Sequence, residues 1–410
     1  YASPWSKSSI GQDELHDTKQ AGHDYLSAMS WLQRLHSFFT GEPDALRDDN
    51  NSHAPRKWRL WQLEPARDCN LRCLMCPWHG LRPKPGEASY MREATWRRLA
   101  PYLGEVQSID FTGSGEPLLN PHLFDWLTEA GNHGCQTGFL TNGLLLDNGA
   151  IGRLLEAAPE WIGFSVDAAE KELYERIRRG SDFATVCSAI RSFCQLRSGD
   201  RPLVMINFVI MDLNLDQLEG IIRLARSLGV DQVNFKQCDV IRAEYGRSLG
   251  LFAETKSRQT AKLQKKLGKV RRLAKKLGIR TTAFSFYPDQ QPVCDQDPRG
   301  SLFIRSDGIT APCINLAYGG SSTFFNENVH LPDTHFGDIM IATPEAIWSA
   351  DSCRSFRRCF DQRVAQYEAS LAAADFGHDL VKFNEALDQA VQSMGAAPPG
   401  CRICHYLYGI

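Results

Sequence analysis

Three cysteines lie close together in the stretch EPARDCNLRCLMCPWHG, residues 64 to 80. Cys69, Cys73 and Cys76 are spaced C-x3-C-x2-C. Soft thiolate ligands suit iron–sulfur clusters, which are usually held by four cysteines. Three thiolates would bind three of the four irons and leave one iron open, so the spacing predicts a cluster that binds a further ligand. The alternative is a zinc ion, for which His79 is the local candidate as fourth ligand.

The composition indicates a globular chain without a strong charge bias. Its 410 residues are 43% hydrophobic and 23% charged, with a formal net charge of −2. The length predicts two domains, and the charge gives no overall attraction to nucleic acid or an anionic membrane. We expect a cytoplasmic protein, because no run approaches the roughly 20 apolar residues of a membrane span and no signal peptide is evident. In a reducing compartment the 13 cysteines favour metal ligands or catalytic thiols over disulfides.

From residue 57 onward, short apolar runs alternate with segments of helical periodicity. Six runs, from WRLWQLEP to DQVNFKQC, are strand candidates. Repeated strand–helix–strand units predict a parallel sheet with right-handed crossovers, in an open or partly closed α/β barrel. Ligands bind at the carboxyl ends of the strands in such folds. The three-cysteine run directly follows the first strand, where an active site is expected.

The predicted barrel, residues 57–250, is flanked by segments of different character. Residues 1–56 are a polar extension with one predicted helix at DYLSAMSWLQRLHSFF. Residues 251–289 hold a basic amphipathic helix and a strand; its cations indicate a solvated face or, alternatively, a docking site for an acidic peptide or polyanion. Residues 290–410 hold six more cysteines and predict a second metal-bearing module.

The cysteine run after the first strand resembles the radical S-adenosylmethionine (radical SAM) superfamily, over roughly residues 57–245. The resemblance implies a partial (β/α)6 barrel and a [4Fe–4S] cluster ligated by Cys69, Cys73 and Cys76. Its open iron would bind SAM, and reduction would cleave SAM to methionine and a 5′-deoxyadenosyl radical that abstracts a substrate hydrogen. A flavodoxin- or ferredoxin-type electron donor is implied as a partner.

Later motifs occur in the order that this superfamily shows. TGSGEP follows the second strand, LTNG the third, and SVDAAEKELYERIRRG the fourth. In the superfamily, Glu116 would accept the ammonium group of SAM and Arg178 would meet its carboxylate. Capping of turns and helices is the alternative role. The residues that the resemblance assigns to SAM are Gly113, Ser114, Gly115, Glu116, Thr141, Asn142, Ser165, Asp167 and Arg178.

The sequence departs from the superfamily just before the third cysteine. Many members carry an aromatic residue there, near the adenine, whereas this chain has Met75. Trp78 is a candidate substitute, and packing at the barrel rim is the alternative.

A second cysteine group resembles the SPASM and twitch modules, which hold auxiliary clusters. Thirteen residues separate Cys294 from Gly308 and four separate Gly308 from Cys313, in a predicted hairpin. With the C-x2-C pair Cys401 and Cys404, the resemblance implies one auxiliary [4Fe–4S] cluster in a twitch/SPASM-like domain. Zinc is again the alternative.

Other cysteines and polar residues have weaker assignments. Cys353 and Cys359 are either extra ligands or buried core residues. Alternation along DQVNFKQCDV puts Lys236 and Cys238 on one face, which we expect at the barrel mouth. Radical SAM epimerases use a cysteine as hydrogen donor, so Cys238 is the candidate donor, and Lys236 and Asn207 are candidate substrate contacts.

The predicted function is radical oxidation or epimerisation of a sugar-like or aminoglycoside-like small molecule. Radical modification of a ribosomally synthesised peptide is the alternative. A non-enzymatic, zinc-bearing binding protein is the remote alternative. No nucleic-acid or membrane partner is expected.

Overall fold

The structure is a computed structural model. It describes residues 56–84, 87–238, 242, 249–250, 257–283, 289–325, 327–375 and 379–409. The predicted N-terminal helix and parts of the predicted linker lie outside the described residues. The described residues belong to one compact unit, Arg56–Ile410.

A parallel sheet forms the centre of this unit, and the six predicted strands are confirmed. A seventh strand follows the basic helix, and every neighbouring pair from the first strand to the seventh is parallel. The strands are β1 Trp58–Leu63, β2 Val106–Asp110, β3 Gln136–Thr141, β4 Trp161–Ser165, β5 Leu203–Ile210, β6 Gln232–Gln237 and β7 Arg280–Ala283.

Amphipathic helices connect these strands, and their ends follow local signals. They are α1 Glu93–Leu99, α2 Leu123–Asn132, α3 Asn148–Ala157, α4 Lys171–Ile177, α5 Phe183–Leu196, α6 Leu218–Leu228 and α7 Ser257–Leu277. Helix α5 begins after Asp182, whose carboxylate accepts from the Thr185 amide. Helix α6 ends at Gly229, which has a φ of 83° and so closes the helix in the left-handed region.

The two faces of the sheet differ in polarity because side chains alternate along each strand. In β5, Val204, Ile206 and Phe208 are fully buried in the apolar core. Right-handed crossovers between strands in sequential order put the helices on one side, so this buried face is the helix face. The opposite face, here called the inner face, carries half-buried side chains such as Met205 and Asn207.

The C-terminal segment extends the same sheet beyond β1 and so shares its core. Strand β8, Ser301–Ile304, pairs in parallel with β1, and β9, Ile309–Ala311, returns antiparallel beside it. The predicted hairpin glycine is confirmed, because Gly308 turns the chain with a φ of 96°. The remaining elements are α8 Ile314–Tyr318, β10 Gly320–Phe324, β11 Glu327–Leu331, β12 Gly337–Asp338, α9 Pro344–Ser349, α10 Asp351–Ala372 and α11 Leu380–Ser393.

Helix α7 has the amphipathic character that the sequence predicts. Leu267, Val270 and Ala274 are buried, whereas Lys265 and Lys269 are exposed. No described helix is long and apolar enough to cross a membrane.

Candidate active site

The first three cysteines lie in a loop that leaves the carboxyl end of β1, here called the cysteine loop (residues 69–76). Cys73 is buried, and Cys69 and Cys76 are half-buried. The Leu74 amide donates to the Ile177 carbonyl at 2.8 Å, which holds the loop against the end of α4. The loop is therefore placed where the sequence predicts an active site.

Burial and mutual repulsion disfavour the bare thiolates of this loop. Burial raises the pKa of Cys73 to about 12, and the neighbouring thiols of Cys69 and Cys76 add to the rise. Burial likewise raises the pKa of Cys76 to about 11, again with a contribution from Cys69. The three thiols are thus close enough to repel one another as anions. Bound cationic iron would remove this penalty.

The cysteine loop supplies three thiols, which is the donor set of a cluster with one open iron. Across the described part of the chain, no three His, Cys, Asp or Glu side chains are grouped so that they could hold one metal ion. In a [4Fe–4S] cluster each thiolate binds a different iron, so the sulfur atoms need not converge on one point. Zinc with His79 as a ligand stays the alternative interpretation.

Arg178 places a buried positive charge beside the cysteine loop. Its Nε lies 2.7 Å from Asp167 Oδ2, and its Nη1 lies 3.8 Å from Cys73 Sγ. Burial opposes the charge, but Asp167 and Cys73 raise the pKa of Arg178 overall, so the guanidinium stays protonated. Asp167 is held in turn by the Val209 amide at 2.7 Å. This pair can present a fixed cation to an anionic group at the loop.

The glycines of the TGSGEP turn have a packing role that the sequence did not indicate. A Cβ on Gly115 would lie 2.2 Å from the Asp68 carbonyl oxygen, and one on Gly113 would lie 2.4 Å from Glu64 Cγ. The Glu116 amide donates to that Asp68 carbonyl at 2.8 Å. These glycines let the turn lie directly against the chain that enters the cysteine loop, and a contact with SAM stays a prediction.

Glu116 lies at the centre of a second set of contacts. Its buried carboxylate accepts from the Thr141 hydroxyl at 2.7 Å and from the Asn142 amide at 2.8 Å. The Asn142 side chain donates to Asn70 Oδ1 at 2.8 Å and lies 3.9 Å from Cys69 Sγ. Burial raises the pKa of Glu116. The ends of β2 and β3 are thereby joined to the cysteine loop. Turn capping is also observed, because Thr141 Oγ1 accepts from the Gly143 amide at 3.1 Å and Asn142 Oδ1 accepts from the Leu144 amide at 3.0 Å.

The inner face below this loop is polar. Ser165 is half-buried at the end of β4, and its register partner is Asn207 on β5. Asn207 accepts from Asn234 Nδ2 at 2.9 Å. Asp110 is half-buried at the end of β2, where burial raises its pKa to about 7. Sequence analysis missed Asp110, although its place on the polar face of β2 is a usable signal.

The two candidate catalytic residues at the carboxyl end of β6, Lys236 and Cys238, have different surroundings. Lys236 is exposed, in keeping with a place at the barrel mouth. Cys238 is only 6% exposed and packs within the main apolar core. Access of a substrate to this thiol is therefore restricted, and its role as hydrogen donor stays a prediction.

The second cysteine group also comes together. Burial raises the pKa of Cys294 and of Cys401. Cys404 adds to the rise at both thiols as a neighbouring anion, and Cys294 adds to it at Cys401. Cys313 is the residue that precedes α8, and burial together with Cys294 raises its pKa to about 12. Four thiols drawn from three distant parts of the sequence fit the donor set of one auxiliary cluster.

The two additional C-terminal cysteines, Cys353 and Cys359, have different surroundings. Cys353 is fully buried in the apolar core, as the core interpretation predicts. Cys359 is half-buried and donates to the Ala396 carbonyl at 3.3 Å, but it also contributes to the raised pKa of Cys401. A ligand role therefore has some geometric basis for Cys359 and none for Cys353.

Trp78 packs between the cysteine loop and the C-terminal segment. Its ring centroid lies 5.7 Å from that of Tyr318, and the Arg242 guanidinium lies 4.9 Å from the Trp78 ring. Arg242 also donates to the Asn315 carbonyl at 3.3 Å. The contacts favour the rim-packing alternative for Trp78.

Comparison with known proteins agrees with this geometry. Two family models match the chain: the radical SAM superfamily over residues 63–225, and the SPASM iron–sulfur cluster-binding domain over residues 294–370. The second match ends before Cys401 and Cys404, so these two ligands stay predictions.

Curated relatives are distant. The chain is 25% identical to an AdoMet-dependent heme synthase of Methanosarcina barkeri over 282 residues, covering 64% of this chain and 77% of that protein. It is 27% identical to a probable GTP 3′,8-cyclase of Methanococcus maripaludis over 175 residues, 42% of this chain and 57% of that protein. The chain therefore spans little more than half the length of this cyclase.

Solved structures share the fold at low identity. Streptococcus suis SuiB bound to S-adenosylmethionine has a TM-score of 0.55 and 14% identity, covering 73% of this chain and 68% of that chain. Native anSMEcpe with bound AdoMet has a TM-score of 0.54 and 19% identity, covering 73% and 83%. The family models, and not these structures, show that the chain carries a radical SAM domain and a C-terminal SPASM domain, which imply SAM, a [4Fe–4S] cluster and auxiliary iron–sulfur binding.

Proposed function

We propose that this protein cleaves SAM reductively and oxidises a C–H bond of a small polar molecule bound on the inner face. The observation that carries the proposal is the convergence of the cysteine loop, the Arg178–Asp167 pair and Glu116 at the carboxyl ends of β1 to β4. When bound, the cluster of Cys69, Cys73 and Cys76 supplies the electron that splits SAM into methionine and a 5′-deoxyadenosyl radical.

The charged residues suit the two ends of the methionine group of SAM. The Arg178 guanidinium pairs with its carboxylate, and Glu116 accepts its ammonium group. Asn142 orients the methionine group of SAM as it approaches the cysteine loop, since the Asn142 side chain contacts both Asn70 and Cys69. Ser165, the last residue of β4, lies between the residues proposed to bind the methionine group of SAM and the inner face.

The inner face supplies groups for a polar substrate. Asn207 and Lys236 are proposed substrate contacts, and Asp110 is the proposed proton acceptor. Oxidation of a secondary alcohol balances as follows: the 5′-deoxyadenosyl radical removes the carbon-bound hydrogen atom. The hydroxyl then loses its proton to Asp110. An auxiliary cluster held by Cys294, Cys313, Cys401 and Cys404 would accept the one remaining electron of the oxidation. A flavodoxin- or ferredoxin-type protein is the proposed source of the first electron.

Epimerisation is a second outcome of the same hydrogen abstraction, and it requires a hydrogen donor. Cys238 follows β6 directly, but its side chain is only 6% exposed. We favour oxidation for this reason. Replacement of Cys238 by alanine distinguishes epimerisation from oxidation, because an epimerase would lose turnover while hydrogen abstraction continued.

A peptide substrate is the alternative class. SuiB bound to its precursor peptide SuiA aligns with 96% of this chain at a TM-score of 0.53 and 12% identity. Likeness at this identity concerns the fold, so the peptide class rests on analogy.

The proposed function is tested with anaerobically reconstituted protein, SAM and dithionite. We expect 5′-deoxyadenosine from the parent and none from a Cys69→Ala/Cys73→Ala/Cys76→Ala variant. Panels of deuterated sugar alcohols and of precursor peptides are then compared for deuterium transfer into 5′-deoxyadenosine. Transfer from peptides but not from sugars would overturn the substrate class, and no cleavage by the iron-loaded parent would overturn the function.

A further inference from the structure

Tyr318 connects the two cysteine groups. It is the last residue of α8, and Cys313 is the N-cap of that helix. Its ring lies against residues that flank the cysteine loop on both sides, with the Arg67 guanidinium at 5.9 Å and the Trp78 ring at 5.7 Å. A displacement of α8 would therefore move the contacts that Tyr318 makes on both sides of the cysteine loop.

The hydroxyl of Tyr318 makes a second connection to the barrel. It lies 2.7 Å from Glu64 Oε1 and 2.6 Å from Glu64 Oε2. Glu64 immediately follows β1 and is fully buried. The sequence alone gave Glu64 no role, although its position directly after β1 is a usable signal.

Glu64 depends on neutral donors for its stabilisation. The Ser114 hydroxyl donates to it at 2.5 Å, and the hydroxyl and amide of Ser306 donate at 3.0 and 3.1 Å. Within the described chain, no cationic side chain forms an ion pair with Glu64. A buried carboxylate without a cation is stabilised by its hydrogen bonds alone, so each donor is held firmly in place.

The donors come from both halves of the protein. Ser114 belongs to the TGSGEP turn, which also carries Glu116, whereas Ser306 and Tyr318 belong to the C-terminal segment. Ser306 lies within the hairpin turn between β8 and β9. The Glu64 carboxylate therefore links the proposed SAM turn to the hairpin turn before Cys313 and to the helix after it.

We propose that Tyr318 is a positioning residue through which the auxiliary site orders the cysteine loop and the TGSGEP turn for SAM. The proposal rests on the proposed function, because it takes Cys313 as an auxiliary ligand and the turn as part of the SAM site. An ordered auxiliary site holds α8 in position, and α8 in turn positions the hydroxyl and the ring of Tyr318. The hydroxyl then positions Glu64, and the ring positions the cysteine loop. SAM affinity then depends on the auxiliary cluster without any contact between the two.

The test measures SAM binding by equilibrium dialysis with radiolabelled SAM, on reconstituted protein with measured iron content. Tyr318→Phe keeps the ring and removes the donor to Glu64, and we expect about tenfold weaker SAM binding. Tyr102→Phe is the matched control, because Tyr102 contacts Trp58 outside this network. Ser306→Ala removes a Glu64 donor without touching the aromatic contacts, and we expect about threefold weaker binding.

The coupling is tested by removing the auxiliary cluster. A Cys313→Ala/Cys401→Ala variant should bind SAM about tenfold more weakly, and adding Tyr318→Phe should cause no further loss. Low-temperature EPR of the reduced cluster in the cysteine loop should show a smaller SAM-induced spectral change in the same variants.

The outcomes distinguish this inference from the proposed function. A parent that holds no iron or does not bind SAM would overturn the proposed function itself. A parent that binds SAM, with Tyr318→Phe and Ser306→Ala both within twofold of it, would overturn the positioning role. Losses that multiply when Tyr318→Phe is combined with the auxiliary variant would overturn the coupling, because the two sites would then act independently.

Discussion

Arg178 contacts Asp167 and Cys73 with two different nitrogens of its guanidinium: Nε lies 2.7 Å from Asp167 Oδ2, and Nη1 lies 3.8 Å from Cys73 Sγ. Asp167 is fully buried and Arg178 is 8% exposed, so water contributes little to either charge. Breaking a buried pair by removing one partner leaves an uncompensated charge. The pair therefore supports both the stability of the barrel and the charge at the cysteine loop.

Asp167→Ala should lower the free energy of unfolding by about 3 kcal/mol. The reason is that Arg178 loses its carboxylate while staying buried. Anaerobic urea unfolding followed by circular dichroism measures the change. Asp125→Ala is the control, because Asp125 pairs with Arg153 on the surface at 3.5 Å and should matter by less than about 0.5 kcal/mol. Equal effects of the two substitutions would contradict the prediction.

Gly115→Ala should displace the TGSGEP turn from the chain that enters the cysteine loop. The added methyl would lie 2.2 Å from the Asp68 carbonyl oxygen, a contact that the backbone must relieve by moving. We expect a loss of about 2 kcal/mol of stability and lower iron retention in the cysteine loop. Gly104→Ala is the matched control, because a Cβ there meets nothing within 4 Å. Similar melting temperatures and iron contents for the two variants would show that the contact is readily accommodated.

Iron and sulfide analysis should give roughly eight irons in the anaerobically reconstituted parent and roughly four in the Cys69→Ala/Cys73→Ala/Cys76→Ala variant. Cys359→Ala is expected to keep the parent value, whereas Cys404→Ala is expected to lose the auxiliary iron. Roughly twelve irons in the parent would indicate a second auxiliary cluster. Zinc in place of iron would refute the assignment of both sites.

Asp110 should make stability depend on pH. Burial raises its pKa to about 7, above its value in the unfolded chain, so the folded protein binds the proton more tightly. The free energy of unfolding should therefore fall as the pH rises from about 4 to about 7, by about 3 kcal/mol from this group. Asp110→Asn should flatten that slope in urea unfolding at several pH values, with Asp125→Asn as the exposed control. An unchanged slope would show that Asp110 is ionised throughout.

The sequence determined the features that depend on neighbouring residues. Alternation of apolar residues and helical periodicity predict β1 to β6 and the helices between them, because these periods arise from local backbone geometry. The spacing of Cys69, Cys73 and Cys76 within one loop is likewise local, and it indicates the cluster chemistry directly. The order of the strands then follows from right-handed crossovers, which leave few alternatives.

Tertiary structure decided the contacts that join distant parts of the chain. Glu64 and Tyr318 are 254 positions apart, and no local pattern marks them as partners. The sequence separates the barrel from the C-terminal module, yet β8 extends the barrel sheet beside β1, so the two share one core. Gly113 and Gly115, which the TGSGEP motif assigns to SAM, lie against the chain that enters the cysteine loop. Trp78, a candidate for the adenine contact, packs on Tyr318. These differences have one physical cause: a buried polar group takes whichever partner the fold brings within reach, and only the folded chain specifies that partner.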